Sequence, residues 1–271
     1  MTREEGPAMG TYVDIGPVHT WYEAKGQGDP LVLLHAGLDT NASWGGELQT
    51  LAEHFRVVAP ERRGHGHTPD VEGPLSYRVM ADDTAAFIES VIGTPVHLVG
   101  WSDGAVLALM VALGRPDLVR RLVLIGGALD VSAYAREWLE ATRLSAESEV
   151  YQPFRAVYDV VSPDGPDHWP VVFAKMMTMW RTEPHIPLAE LARLRSRTLV
   201  MTGDDDLVSL DHTVAMYQAI PDAELAVVPG TSHLAPLEKP ELVNRLILDF
   251  LRLDPVHTVL PVRRAVAPAQ V

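Results

Sequence analysis

The residues best suited to chemistry are Gly100-Trp101-Ser102-Asp103-Gly104, which lie between two apolar runs, Val96–Val99 and Ala105–Leu113. The spacing is G-x-S-x-G in a strand–turn–helix setting, and that setting suits a nucleophile. A tight turn lifts the serine hydroxyl out of a sheet, while the flanking glycines let strand and helix approach without Cβ clashes. A hydroxyl is a weak nucleophile at neutral pH, so the pattern asks for a base to take its proton and an acid to orient that base. The bland alternative, an ordinary strand-to-helix turn, needs neither. The chain has no cysteine, which excludes a thiol nucleophile, disulfides and cysteine-held zinc or iron–sulfur centres. Of its 11 histidines, His65 and His67 stand two apart without a third ligand, so no metal is expected. No other cofactor is expected.

Patterning shows which elements must position the serine. Short apolar runs recur at Leu31–Leu34, Val57–Ala59, Val96–Val99 and Leu122–Ile125, each separated from the next by enough chain for a helix. That alternation predicts an α/β fold, a mostly parallel central sheet flanked by helices. A helix is expected over Met80–Ile92, with Asp82 and Asp83 in its first turn, Ala86, Phe87 and Val91 on one side, and Gly93-Thr-Pro as its stop. Past Gly126-Gly127 the texture changes. Eight of the 18 aromatic residues fall between Tyr134 and Trp180, interrupted by Pro163, Gly165, Pro166, Pro170, Pro184 and Pro187. This predicts an inserted helical cap over residues 129–190, between a first core part, 1–128, and a second, 191–254. The sheet pattern resumes at Thr198–Thr202 and Leu225–Val228, with helices over Leu210–Ile220 and Pro240–Leu253. Residues 255–271, with three prolines and no helical period, are expected to be extended or disordered.

Composition bounds the partners. The 271 residues carry 22 Lys and Arg against 36 Asp and Glu, a net charge of −14, which repels phosphate backbones and anionic lipid. Ala105–Leu113 is the longest uninterrupted apolar stretch, far short of the about 20 residues a membrane span needs. The opening Met-Thr-Arg-Glu-Glu-Gly-Pro does not look like a secretory signal. The expectation is a soluble, cytoplasmic protein acting on a small molecule, with no nucleic-acid or membrane partner. Monomer and homodimer both stay open.

Four further segments agree with the serine turn. They are Leu31-Val-Leu-Leu-His35-Ala36-Gly37-Leu38, Pro60-Glu61-Arg62-Arg63-Gly64-His65-Gly66-His67-Thr68, Gly203-Asp204-Asp205-Asp206 and Pro229-Gly230-Thr231-Ser232-His233. Together they resemble the α/β-hydrolase superfamily from about Tyr12 to Leu253. The resemblance implies Ser102 as nucleophile, His233 as base and Asp206 as the acid, in the order Ser, Asp, His. Asp130, after the preceding core strand, is the reserve acid. It implies an oxyanion hole made of the backbone N–H groups of Asp103 and Gly37, with Leu38 in reserve because Ala36 stands where the family has glycine. The second segment resembles the family's structural Asp-x-Arg-Gly-x-Gly-x-Ser/Thr turn, with Glu61 replacing aspartate. His35 then reads as a strut, His97 as part of a buried strand, and His168, His185 and His212 as solvated or capping residues.

The narrower Gly-Trp-Ser-Asp-Gly form resembles the valacyclovir hydrolase (biphenyl hydrolase-like) group, in which the aspartate beside the nucleophile recognises a substrate ammonium. Asp103 occupies that position; its alternative is an acid complementing a helix N-terminus. The resemblance also implies that the cap roofs the site, with some of Trp101, Trp138, Trp169, Met176, Met177 and Trp180 facing substrate. The function expected is hydrolysis of small carboxylic esters, lactones and amino acid esters included, through an acyl-enzyme on Ser102. Amidase, thioesterase, carbon–carbon hydrolase, lyase and perhydrolase activities are alternatives on the same fold, and a non-catalytic ligand-binding protein is the alternative from another class.

Overall fold

A computed structural model describes residues 10–256 and 258–262. Eight strands form one sheet: β1 (Thr11–Ile15), β2 (Val18–Lys25), β3 (Pro30–Leu34), β4 (Arg56–Pro60), β5 (Val96–Trp101), β6 (Val119–Ile125), β7 (Arg197–Gly203) and β8 (Ala223–Val228). Their spatial order is β1-β2-β4-β3-β5-β6-β7-β8, with β1 and β2 antiparallel and the other six parallel. The six parallel strands correspond to the six apolar runs. β1 and β2 escape that pattern because polar residues such as Asp14, His19 and Glu23 interrupt them, in the antiparallel end of the sheet.

The helices are α1 (Gly45–Ala52), α2 (Tyr77–Phe87), α3 (Asp103–Gly114), α4 (Arg136–Ala141), α5 (Gln152–Val161), α6 (Trp169–Thr182), α7 (Leu210–Ala219), α8 (Ala235–Glu238) and α9 (Pro240–Arg252). Successive strand residues point to opposite faces, which splits each apolar run between two cores. Val32 and Leu98 join the core under α2 and α3, whereas Leu31, Leu33 and Val99 join the one under α1 and α9. Helix α3 is buried almost all round, hence its lack of an apolar stripe; α9 buries Val243, Ile247, Phe250 and Leu251 at helical spacing.

Helix α2 begins earlier than its apolar pattern suggests. Ser76 accepts a hydrogen bond from Val79 N–H (3.2 Å) as N-cap, so Asp82 and Asp83 fall beyond the first turn, and Asp83 pairs with Arg63 (2.7 and 2.9 Å). The last turn expected of this helix, Ile88–Ile92, is a π turn closed by Gly93 at φ 71. Between β6 and β7 the chain makes α4, α5, α6 and short 3-10 turns, with no strand. Lys175 Nζ (2.6 Å) and His168 Nε2 (2.9 Å) both donate to the buried Asp70 carboxylate, which ties α6 and the turn before it to the loop after β4. No helix among the described residues is long and apolar enough to cross a membrane. Residues 255, 256 and 258–262 carry neither helix nor strand; the rest of the expected tail and residues 1–9 lie outside the described residues.

Glu47 in α1 is 2 % exposed and its Oε1 has no hydrogen-bond partner. Burial pushes its carboxyl up to about 7. The folded state therefore holds a proton that the unfolded carboxyl releases above about 4.5, so this residue's contribution to stability falls as pH rises from there through 7. Glu47→Gln should stabilise the protein relative to wild type at pH 8 by on the order of 1–2 kcal/mol more than at pH 4. Thermal melts of both proteins at the two pH values check this; equal differences would overturn it.

Candidate active site

Ser102 sits on the turn between β5 and α3 with φ 57 and ψ −120, a left-handed conformation that side chains other than glycine avoid. The turn is possible because its neighbours are bare. A Cβ on Gly100 would lie 2.1 Å from Gly104 O, and one on Gly104 would lie 2.1 Å from Leu34 O. The close approach of β3, β5 and α3 thus requires both glycines of the motif.

The Ser102 hydroxyl donates to His233 Nε2 (2.8 Å), and His233 Nδ1–H donates to Asp206 Oδ1 (2.7 Å). Asp206 also accepts from Val208 N–H (2.9 Å) and Thr202 Oγ1–H (2.9 Å). Burial pushes the Asp206 carboxyl up, but the hydrogen bonds and the charge of His233 outweigh it and hold it below the usual range. The neighbouring acids are ties: Asp204 accepts from Thr231 N–H (3.0 Å) and Asp205 N–H donates to Thr231 O (3.0 Å), joining the acid's loop to the base's loop. Asp130 bonds Ser132 N–H and His185 instead of His233. Gly126, which the sequence marks only as the end of a strand, packs directly on the His233 ring; its φ is 59, and a Cβ there would lie 2.9 Å from ring atoms.

These groups open onto a cavity of about 670 Å³ with a largely apolar lining. Trp101, Trp138 and Trp180 line it, as do Gly37, Leu38 and Asp103. Trp101 also ties the base, its Nε1–H donating to His233 O (2.9 Å). Trp169, Met176 and Met177 are not among the residues that line the cavity. Trp169 stands at the opposite end of α6 from Trp180, about 16 Å along the axis, where it donates to Ala146 O and packs on Tyr158 and Phe173. Met176 is fully buried, and Met177 Sδ accepts from Tyr151 O–H (3.5 Å) within the helix-packed core.

Asp103 is 2 % exposed. Its carboxylate accepts from Tyr77 O–H (2.6 Å) and from Trp180 Nε1–H (3.0 and 2.9 Å). Burial and the Asp103 charge raise the Tyr77 hydroxyl well above its usual range and raise Tyr134 as well, so both phenols stay neutral. Neither tyrosine is marked by the sequence as part of the site, since Tyr77 meets Asp103, and Tyr134 meets Tyr77, only through tertiary folding. The backbone N–H groups of Gly37 and Asp103 donate no hydrogen bond among the described residues. Chemically the arrangement can offer a hydroxyl hydrogen-bonded to an imidazole, a carboxylate that fixes the imidazole tautomer and open N–H donors beside them, the kind of set that acyl transfer uses.

A family model described as the alpha/beta hydrolase family matches residues 31–246. The chain belongs to this family. It is 27 % identical to pyrrolizixenacetamide deacetylase of Xenorhabdus hominickii, over 90 % of this chain and 98 % of that protein. It is also 27 % identical to serine hydrolase BPHL of Homo sapiens, over 89 % of this chain and 85 % of that protein; this is the biphenyl hydrolase-like group whose serine turn it resembles. Among solved structures, the enol-lactonase of Burkholderia xenovorans LB400 superposes with TM-score 0.74 at 19 % identity, covering 90 % of this chain and all of that one, a likeness of fold.

If Gly126 must stay bare to hold the imidazole, Gly126→Ala should leave a folded protein whose Ser102 reacts with a fluorophosphonate probe on the order of 10–100-fold more slowly. Mass spectrometry of the adduct against time measures this. A wild-type labelling rate would show that the ring has room to spare.

Proposed function

We propose that the protein is a serine hydrolase that cleaves small, neutral carboxylic esters. The unbroken hydrogen-bonded chain from Ser102 through His233 to Asp206, at the edge of an apolar cavity, carries this reading. His233 takes the Ser102 proton as Oγ attacks the ester carbonyl, and Asp206 stabilises the imidazolium that forms. The N–H groups of Gly37 and Asp103 hold the oxyanion; one such donor is typically worth roughly 3–4 kcal/mol. Collapse of the intermediate expels the alcohol, protonated by His233. Water activated by His233 then releases the acid and restores Ser102. In this reading residues 129–190 are a cap over a core built from 1–128 and 191–254.

An apolar cavity lined by Trp138, Phe154 and Leu237 suits medium-sized, partly aromatic substrates. Asp103 is not an ammonium receptor in this reading, because Tyr77 and Trp180 already donate to its oxygens and it is buried. A second reading, hydrolysis of an amide by the same steps with an amine leaving group, is favoured by the deacetylase named above. Matched p-nitrophenyl esters and p-nitroanilides separate the two.

Wild type should release p-nitrophenol from acetate, butyrate or octanoate esters and carry one fluorophosphonate adduct on Ser102. Ser102→Ala should stay folded and lose both; turnover within a few-fold of wild type would remove the mechanism. Asp103→Asn should reduce turnover of a valine ester and of a matched uncharged ester by the same factor. A selective loss on the valine ester would restore ammonium recognition to Asp103.

A further inference from the structure

Two arginines follow Glu61, and the fold uses them differently. Arg63, at the arginine position of the turn motif, pairs with Asp83 (2.7 and 2.9 Å) and so anchors α2. Arg62, at the motif's unspecified position, is 6 % exposed and turns inward to the turn after β3. Its Nη1–H donates to His35 O and its Nη2–H to Ala36 O (2.7 Å). His35 completes the unit: its Nε2 accepts from Arg62 N–H (3.3 Å), so its Nδ1 carries the proton and donates to the same Ala36 O (2.8 Å).

Ala36 O therefore receives two donors from one side. In a planar trans peptide the C=O and the following N–H point in opposite directions, so Gly37 N–H points away from Arg62 and toward the cavity that Ala36, Gly37 and Ser102 all line. Donors on the carbonyl also polarise the peptide, which strengthens its N–H as a donor to an anion. The surroundings keep this unit in one state. Burial and the neighbouring Arg62 charge push His35 well below its usual range, leaving it neutral, while a guanidinium stays charged. The Asp103 carboxylate offsets the buried charge of Arg62. Gly37 is held on the far side as well: a Cβ there would lie 2.3 Å from Asp103 Oδ2 and 2.5 Å from the Trp180 ring.

We propose that Arg62 is a positioning residue for the oxyanion hole, fixing the plane of the Ala36–Gly37 peptide so that Gly37 N–H faces the developing oxyanion. The inference rests on the serine hydrolase reading. It also selects Gly37 over Leu38 as the donor.

The test compares wild type, Arg62→Met and Arg62→Lys in p-nitrophenyl butyrate turnover and in binding of two probes. One probe is an aryl trifluoromethyl ketone, which Ser102 converts to a tetrahedral oxyanion. The other is benzyl alcohol, which fills the cavity without forming one. Arg62→Met should lower kcat about 100-fold, the scale of a lost oxyanion donor, with KM little changed. It should weaken the ketone by a similar factor while leaving benzyl alcohol binding and the cooperative melt intact. Arg62→Lys, with one ammonium for two carbonyls, should fall between wild type and Arg62→Met, and it carries the test if Arg62→Met does not fold. Unchanged kcat and ketone affinity in a folded variant, or equal losses for both probes, would overturn the inference. A wild type with neither turnover nor ketone binding would instead overturn the hydrolase reading beneath it.

Discussion

The backbone at Ser102 is the constraint on which the rest of the site depends. A non-glycine residue in the left-handed region costs about 1–2 kcal/mol and persists where its surroundings over-determine it. Here Ser102 N–H is held by Ile125 O (2.8 Å), Ser102 O receives Ala105 N–H (2.8 Å), and the Gly100–Gly104 approach leaves no alternative path from β5 into α3. The strain points the hydroxyl out of the sheet, and it also places Asp103 N–H, unbonded, at the start of α3. A relaxed turn would lose nucleophile and donor together.

Around that turn the polar groups are deeply buried, and their charges are matched locally. The Asp103 charge helps keep buried Arg62 protonated, and the Asp103 carboxylate itself accepts from Tyr77 and Trp180. Burial and the Arg62 charge lower His65 to about 3, and they lower His35 as well, so neither competes with His233 as a base. His35 accepts and donates in one tautomer, and His65 donates from Nδ1 to Arg63 O (2.9 Å). Most polar atoms of this network are partnered; Arg62 Nε and His65 Nε2 are not, and each unpaired buried atom costs stability.

What was legible in the sequence was what is local. Six strands are continuous apolar runs, and Gly100 to Gly104 is one contiguous turn whose glycines have steric reasons visible in the spacing alone. The placement of Asp206 and His233 came from resemblance of short loop motifs to a known family. The antiparallel strands β1 and β2 and helix α1 were missed because their mixed polarity gives no run to follow. Arg62, Tyr77, Tyr134 and Gly126 were invisible for a different reason: their partners are distant in sequence, as with Tyr77 and Asp103, 26 positions apart. The family resemblance says that some cap residues face substrate without saying which: Trp169, Met176 and Met177 are buried by protein, whereas Trp138 and Trp180 line a cavity.

Trp180 joins the cavity wall to the turn after β3. It is a wall of the substrate cavity, packed on Trp138 at 5.1 Å between ring centroids, and it also donates to the carboxylate of Asp103 and lies against the Cα of Gly37. Helix α6, which carries it, is tied to the core through Lys175 and Asp70. A bound group that pushed the Trp180 ring aside would therefore loosen Asp103 and unpack Gly37 in the same movement. On the proposed ester-hydrolase reading, acyl groups that fit without moving Trp180 would leave the oxyanion donors in place, and bulkier ones would degrade the stabilisation of their own transition state. Substrate size would then be read out in the chemical step as well as in binding, because Trp180 lies both on the cavity wall and against Gly37.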